Sequence, residues 1–99
     1  MIKKMIFTLG FFTTLLFGAS FEDAQKAQEK GDYKKALSIY EDLAKKGDAD
    51  AQYILGSMYL HGDGIKQDFE KAKEWFKKGC DGGDQDGCDK YKILNQQGY

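Results

Sequence analysis

AQYILGSMYLHGDGIKQDFEKAKEWFKK, Ala51–Lys78, is the stretch that decides the fold. Ala51, Leu55, Met58 and Tyr59 recur at the three- and four-residue spacing that places side chains on one face of a helix. Phe69, Ala72, Trp75 and Phe76 repeat the pattern and extend it to Gly79. Between the two stripes, Gly62 and Gly64 break the periodicity, and Asp68 stands where a carboxylate can cap the free N–H groups of the second helix. No segment alternates with the two-residue period of a strand.

Moving the chain past itself by about 36 residues extends the pattern outward. Asp32-Tyr33 then falls on Asp68-Phe69, Ala36 on Ala72, Tyr40 on Phe76, Gly47-Asp48 on Gly83-Asp84 and Asp50 on Asp86. A period in the thirties with glycine breaks describes helix–turn–helix units stacked side by side. A further stripe of Tyr33, Ala36, Leu37, Tyr40, Leu43 and Ala44 supports the same reading. Five helices are expected, at about 21–30, 32–46, 49–60, 68–79 and 85–97. Asp32, Asp48, Asp68 and Asp84 are their candidate caps, with Asp50 and Asp86 competing for two of the positions. Ala24, Ala27, Ala36, Ala51, Gly56 and Ala72 are small enough to let paired helices approach. The fold class is therefore all-α, an α/α repeat of about 21–47 and 48–83, with a capping helix over about 84–99.

The first twenty residues have another character. Lys3 and Lys4 precede an apolar run, Met5–Phe17, and small residues follow at Gly18-Ala19-Ser20. This is the pattern of a secretory signal peptide over residues 1–20, cut after Ala19 or Ser20. The run is shorter than the roughly 20 residues of a spanning helix. A retained N-terminal anchor is the alternative. Leu16–Ser20 resembles a lipoprotein box without its cysteine, which argues against lipid anchoring. The expected location is the periplasm or the medium, with no stable membrane insertion after cleavage.

Without Lys3 and Lys4, 13 lysines face 16 acids, a net charge of −3, and there is no arginine. That composition argues against a nucleic-acid partner. It fits one small domain of limited core, the kind that benefits from a staple. Cys80 and Cys88 are the only cysteines. Export would place them in an oxidising compartment, where a disulfide is expected. Zinc would need more ligands than His61 can add, and the spacing is not that of a redox CxxC. Asp84 and Asp86 leave calcium as a weak alternative, since Gly82 and Ile93 stand where an EF-hand loop needs acids. No metal or cofactor is expected.

Ala51 through Tyr59, then Gly62, Gly64, Ile65, Asp68, Lys71, Ala72, Trp75 and Lys78, resemble a complete Sel1-like repeat. Ala24–Gly47, with its GDYxxALxxY core, resembles the related tetratricopeptide repeat. The segment CDGGDQDGC, Cys80–Cys88, is similar to the staple of the secreted Helicobacter cysteine-rich proteins, which carry one cysteine pair per repeat. Here the corresponding residues of the first repeat are Ala44 and Gln52.

The resemblance implies two functions. The repeat class serves as a protein-binding or peptide-binding scaffold. Some members of the cysteine-rich family are described as penicillin-binding or weak β-lactamases, so a β-lactam or cell-wall peptide is an alternative ligand. A small inhibitor or immunity protein is a further alternative. The residues do not assemble the serine chemistry, because Asp23, Glu41 and Leu60 stand where an SxxK lysine would follow Ser20, Ser38 and Ser57. No catalytic residue is therefore assigned.

In tetratricopeptide-like stacks the first helix of each pair lines the concave face. That register points Asp50, Tyr53, Ser57, Leu60 and His61 into a groove. Gln25, Gln28 and Glu29 would join from the preceding helix, and Asp89, Ile93 and Gln97 from the last. Plainer roles exist for several of these: Tyr53 as core, His61 as a C-terminal residue favoured by the helix dipole, and Gly56 as a helix crossing. Trp75 reads as filler between helices. The charged run from Glu70 to Lys78 reads as a solvated face.

Overall fold

The computed structural model describes residues 19–99, so the stretch read as a signal peptide lies almost wholly outside the described residues. Among the described residues there are five helices and no strand: α1 (Phe21–Glu29), α2 (Tyr33–Lys45), α3 (Ala49–His61), α4 (Phe69–Asp81) and α5 (Gln85–Gln96). Each packs against its neighbours in sequence, α1 on α2, α2 on α3, α3 on α4 and α4 on α5. This is the expected all-α repeat stack, and the helix limits differ from expectation by two residues at most.

One tripeptide turn builds three of the four corners. In Lys30-Gly31-Asp32, Lys46-Gly47-Asp48 and Gly82-Gly83-Asp84, the glycine takes a positive φ of 82°, 99° and 99°. The following aspartate N–H donates to the carbonyl five residues back, at 2.8, 3.1 and 2.9 Å. The glycine N–H donates to the carbonyl three back, at 3.0 Å each time. These are the paired bonds of a Schellman motif, and a side chain other than glycine is disfavoured at that φ. The same aspartate then begins the next helix. Asp32 and Asp48 accept from the N–H groups of Lys35 and Ala51 at 3.2 Å. Asp68, after the longer loop, accepts from Lys71 at 3.0 Å. The fourth expected cap differs, because Asp84 holds the N-cap position without a side-chain bond to α5. Burial, and after it the charges of Asp86 and Asp50, push its carboxyl pKa up. Asp50 and Asp86 both lie in first turns rather than at caps.

Ser20, read from sequence as the end of the leader, caps α1. Its hydroxyl accepts from the Asp23 N–H at 3.3 Å, and the Asp23 carboxylate accepts from the Ser20 N–H at 2.9 Å. That reciprocal box holds the Asp23 carboxyl below its ordinary pKa, chiefly through the backbone bond.

The core follows the period. Tyr40 and Phe76, one repeat apart, are both fully buried, as are Leu55 and Met58. Ala24, Ala36, Ala51 and Ala72 are fully buried at the crossings. Glycine goes further where backbones meet. A Cβ on Gly56 would lie 2.8 Å from the Phe76 ring, and one on Gly87 would lie 2.9 Å from the Phe76 carbonyl oxygen. Gly56 is thus the helix-crossing residue expected from sequence.

Candidate functional site

Helix α3 sits between α2 and α4 and buries Ala51, Gln52, Leu55, Gly56, Met58 and Tyr59. Its remaining face is not the charged face of an ordinary surface helix. Tyr53, Ile54, Ser57 and Leu60 line it, each half-buried, with Asp50 and His61 exposed at either end. Apolar residues therefore run all the way round α3, whereas α2 and α4 each have a lysine-bearing outer face. The strip was legible as Tyr53, Ser57 and Leu60. Ile54 belongs to it too, and its spacing, four after Asp50 and three before Ser57, was the available signal.

The other expected members divide. The Gln28 Oε1 accepts from the Tyr40 hydroxyl at 3.0 Å, so this half-buried side chain satisfies a core tyrosine. Burial pushes that hydroxyl's pKa up. The Tyr53 ring packs on Phe76 at 5.5 Å between centroids and is half-buried, so it belongs partly to the core and partly to the strip. The Nδ1 of His61 lies 2.9 Å from the Ser57 carbonyl oxygen. That oxygen can only accept, so Nδ1 carries the proton, and the ring is held at the end of its own helix as the plainer reading had it. The pair brings His61 to the Ser57 backbone, not to its hydroxyl. The Leu60 carbonyl is closed by the Gln67 amide at 2.8 Å. On α5, Asp89 is exposed and accepts from the Gln85 amide at 3.1 Å. Ile93 stays 48% exposed, the most open large apolar side chain among the described residues. Gln25, Glu29 and Gln97 are exposed. Trp75 is half-buried with Lys78 4.4 Å above its ring, a packed residue under a cation.

The strip is an open surface. The described residues enclose no cavity, and no group of three metal-binding side chains occurs among them. None of the described helices is long and apolar enough to cross a membrane.

Behind the strip, each α2–α3 and α4–α5 corner is tied across equivalent positions. Cys80 and Cys88 form a disulfide, with Cα atoms 4.4 Å apart. One period earlier, the buried Gln52 amide donates to the Ala44 carbonyl at 3.0 Å. A disulfide in one repeat is matched by a side-chain hydrogen bond in the other, at the two positions that the period aligns. The Gln52 Oε1 is left without a partner among the described residues.

Paired helices, a repeated corner and a period of one helix pair define an α/α repeat protein. The chain belongs to the Sel1 repeat family, whose repeat matches residues 15–48 and 49–84. The first unit, which resembled the tetratricopeptide relative, thus matches the Sel1 repeat as the second does. Over 53 residues the chain is 45% identical to the Sel1-repeat-containing protein YjcO of Escherichia coli, covering 50% of this chain and 23% of that one. Over 44 residues it is 46% identical to the ERAD-associated E3 ubiquitin-protein ligase component HRD3 of Candida glabrata, covering 44% of this chain and 5% of that protein. An uncharacterized Haemophilus influenzae protein is 48% identical over 33 residues, covering 33% of this chain and 64% of its own length. The chain therefore spans less than a quarter of the first two relatives. No solved structure matches it.

Proposed function

We propose that this chain is an exported Sel1-repeat module that binds another protein or a peptide on the face of α1, α3 and α5, in the bacterial periplasm or outside the cell. The observation that carries the binding reading is the outer strip of α3. Tyr53, Ile54 and Leu60 keep apolar surface in contact with water where a surface helix ordinarily places charge. A tyrosine held by Phe76 on one side has little rotamer freedom to lose, which suits it to anchor a partner. The Candida glabrata relative is itself named as a ligase component. Export is supported by the basic head and apolar run of residues 1–20 and by the disulfide, since such bonds persist in oxidising compartments.

Affinity capture from envelope extract tests the binding reading. The mature protein is compared with Ser57→Arg and Ile93→Asp, two changes at positions outside the core whose folding is checked by circular dichroism. A protein retained by the native chain and lost with both variants supports the face. Equal retention by all three overturns it. N-terminal sequencing of protein recovered from the envelope or medium should begin at Ser20 or Phe21. An intact Met1 in the membrane fraction would overturn export by cleavage.

A further inference from the structure

The charge around the strip specifies what could lie on it. Helices α1, α3 and α5 carry six carboxylates, Glu22, Asp23, Glu29, Asp50, Asp86 and Asp89, against three lysines, Lys26, Lys90 and Lys92. Helices α2 and α4 have the opposite balance, seven lysines against five acids. Asp50 is the one carboxylate of α3, and α3 has no lysine at all.

Ion pairing removes little of this field. The described residues form two ion pairs, Lys26 with Glu22 at 3.6 Å and Lys77 with Asp81 at 3.3 Å. The first takes the α1 lysine out of play. Asp50, Asp86 and Asp89 have no lysine within ion-pair distance among the described residues. A Cβ on Gly82, two residues before Asp84, would lie 3.0 Å from the Ala49 Cβ, so the corner that begins α5 lies against the first turn of α3, which carries Asp50. On α3, apolar side chains and a carboxylate share one face, Tyr53, Ile54 and Leu60 with Asp50 at its N-terminal end. The period of about 36 residues gives Asp89 and Ile93, both exposed, the positions on α5 that Tyr53 and Ser57 hold on α3.

We propose that this face takes a peptide segment whose apolar anchors are flanked by lysine or arginine. The proposal rests on the binding reading above and adds the chemistry of the partner. The apolar anchors would bury against Tyr53 and Leu60, and the flanking cations would neutralise carboxylates that the fold leaves unpaired. An acidic segment would meet like charge at Asp50 and at Asp89, so the arrangement selects as well as attracts.

The test is selection of a random peptide library on the immobilised mature protein, run in parallel on native chain, Asp50→Lys/Asp89→Lys and Ser57→Arg. Both aspartates are exposed and outside the core. Native protein should enrich peptides carrying lysine or arginine beside an aromatic or aliphatic residue. The charge-reversed variant should lose that bias. A synthesised native-selected peptide should bind the variant about tenfold more weakly, the effect of two exposed pairs turned repulsive, and should weaken as salt rises. Peptides that depend on Ser57 but show no charge bias, or an acidic one, overturn this inference while the binding face stands. A library yielding nothing that depends on Ser57 overturns the face itself.

Discussion

Replacing Cys80 and Cys88 by serine isolates what the bond between them contributes. The two residues are eight apart, so the closed ring spans about nine residues, and on the chain-entropy model its closure is worth about 2.5 kcal/mol. Both side chains are half-buried, so serine adds only a small burial cost. The effect concentrates on α5. That helix buries only Gly87 and Leu94, with Tyr91 half-buried, and its N-cap makes no side-chain bond. Ordering its backbone costs roughly 1–2 kcal/mol per residue, which so few contacts offset only in part. Any opening that frees α5 also frees the ring, so its opening free energy should fall by the full 2.5 kcal/mol or so. That is about sixtyfold in exchange rate. Helix α1 can open without disturbing the ring, and its amides should keep their protection. Hydrogen–deuterium exchange resolved by peptide reads both helices in one experiment, and urea unfolding gives the total. Equal loss of protection in α1 and α5, or none in α5, would refute the assignment of the bond to the last helix.

The remaining expectations use the same corners. Ala44→Cys/Gln52→Cys should close a second disulfide at the aligned positions, seen as a loss of two hydrogens in mass and a higher melting temperature, since it also removes the unpartnered Gln52 oxygen; failure to oxidise would show that the two corners are not equivalent. Gly87→Ala should destabilise by about 1–3 kcal/mol despite the better helix propensity of alanine, because the new methyl meets the α4 backbone rather than a movable side chain; an unchanged urea midpoint would sink that reasoning. Asp84→Asn should stabilise at neutral pH. The folded pKa of Asp84 is raised, so the native state holds its proton more tightly, and its stability contribution is fullest below the unfolded value near 4 and declines as pH rises through the folded one. The gain should vanish at pH 3 or below, where the carboxyl is protonated in both states, and a gain independent of pH would exclude this cause.

Much of the architecture was readable because it repeats. Asp32, Asp48 and Asp68 cap as their positions implied, and the corner glycines hold the positive φ that made them breaks. Asp84 also follows a glycine corner yet makes no cap bond, and its raised carboxyl pKa reflects burial and then Asp86 and Asp50, the last from across the stack, where no local pattern records it. The site was harder to read for the same reason. Register alone could name Tyr53, Leu60 and Ile93 as candidate lining of a groove, but the hydrogen bond from Tyr40 to Gln28 depends on a hydroxyl that the equivalent Phe76 lacks. Ser20 was hidden by a competing signal, the small-residue exit of a leader.

The recurring corner also bears on how such a chain changes over time. Gly47 and Gly83 stand at the same point of the same turn, each followed by aspartate. Recombination that joins Gly47 directly to Asp84 would delete one period and leave a Lys-Gly-Asp corner of unaltered chemistry. Helix α5 would then meet α2, with the Tyr40 backbone where Phe76 had been. Duplication at the same seam would add a helix pair as readily. The seam is also where the cost shows, because the cysteine at 88 would face Ala44 and lose its mate. A lineage that gains or sheds repeats at this junction must therefore gain or shed its covalent tie with them, and a corner held by an amide in place of sulfur is what remains when the two events part company.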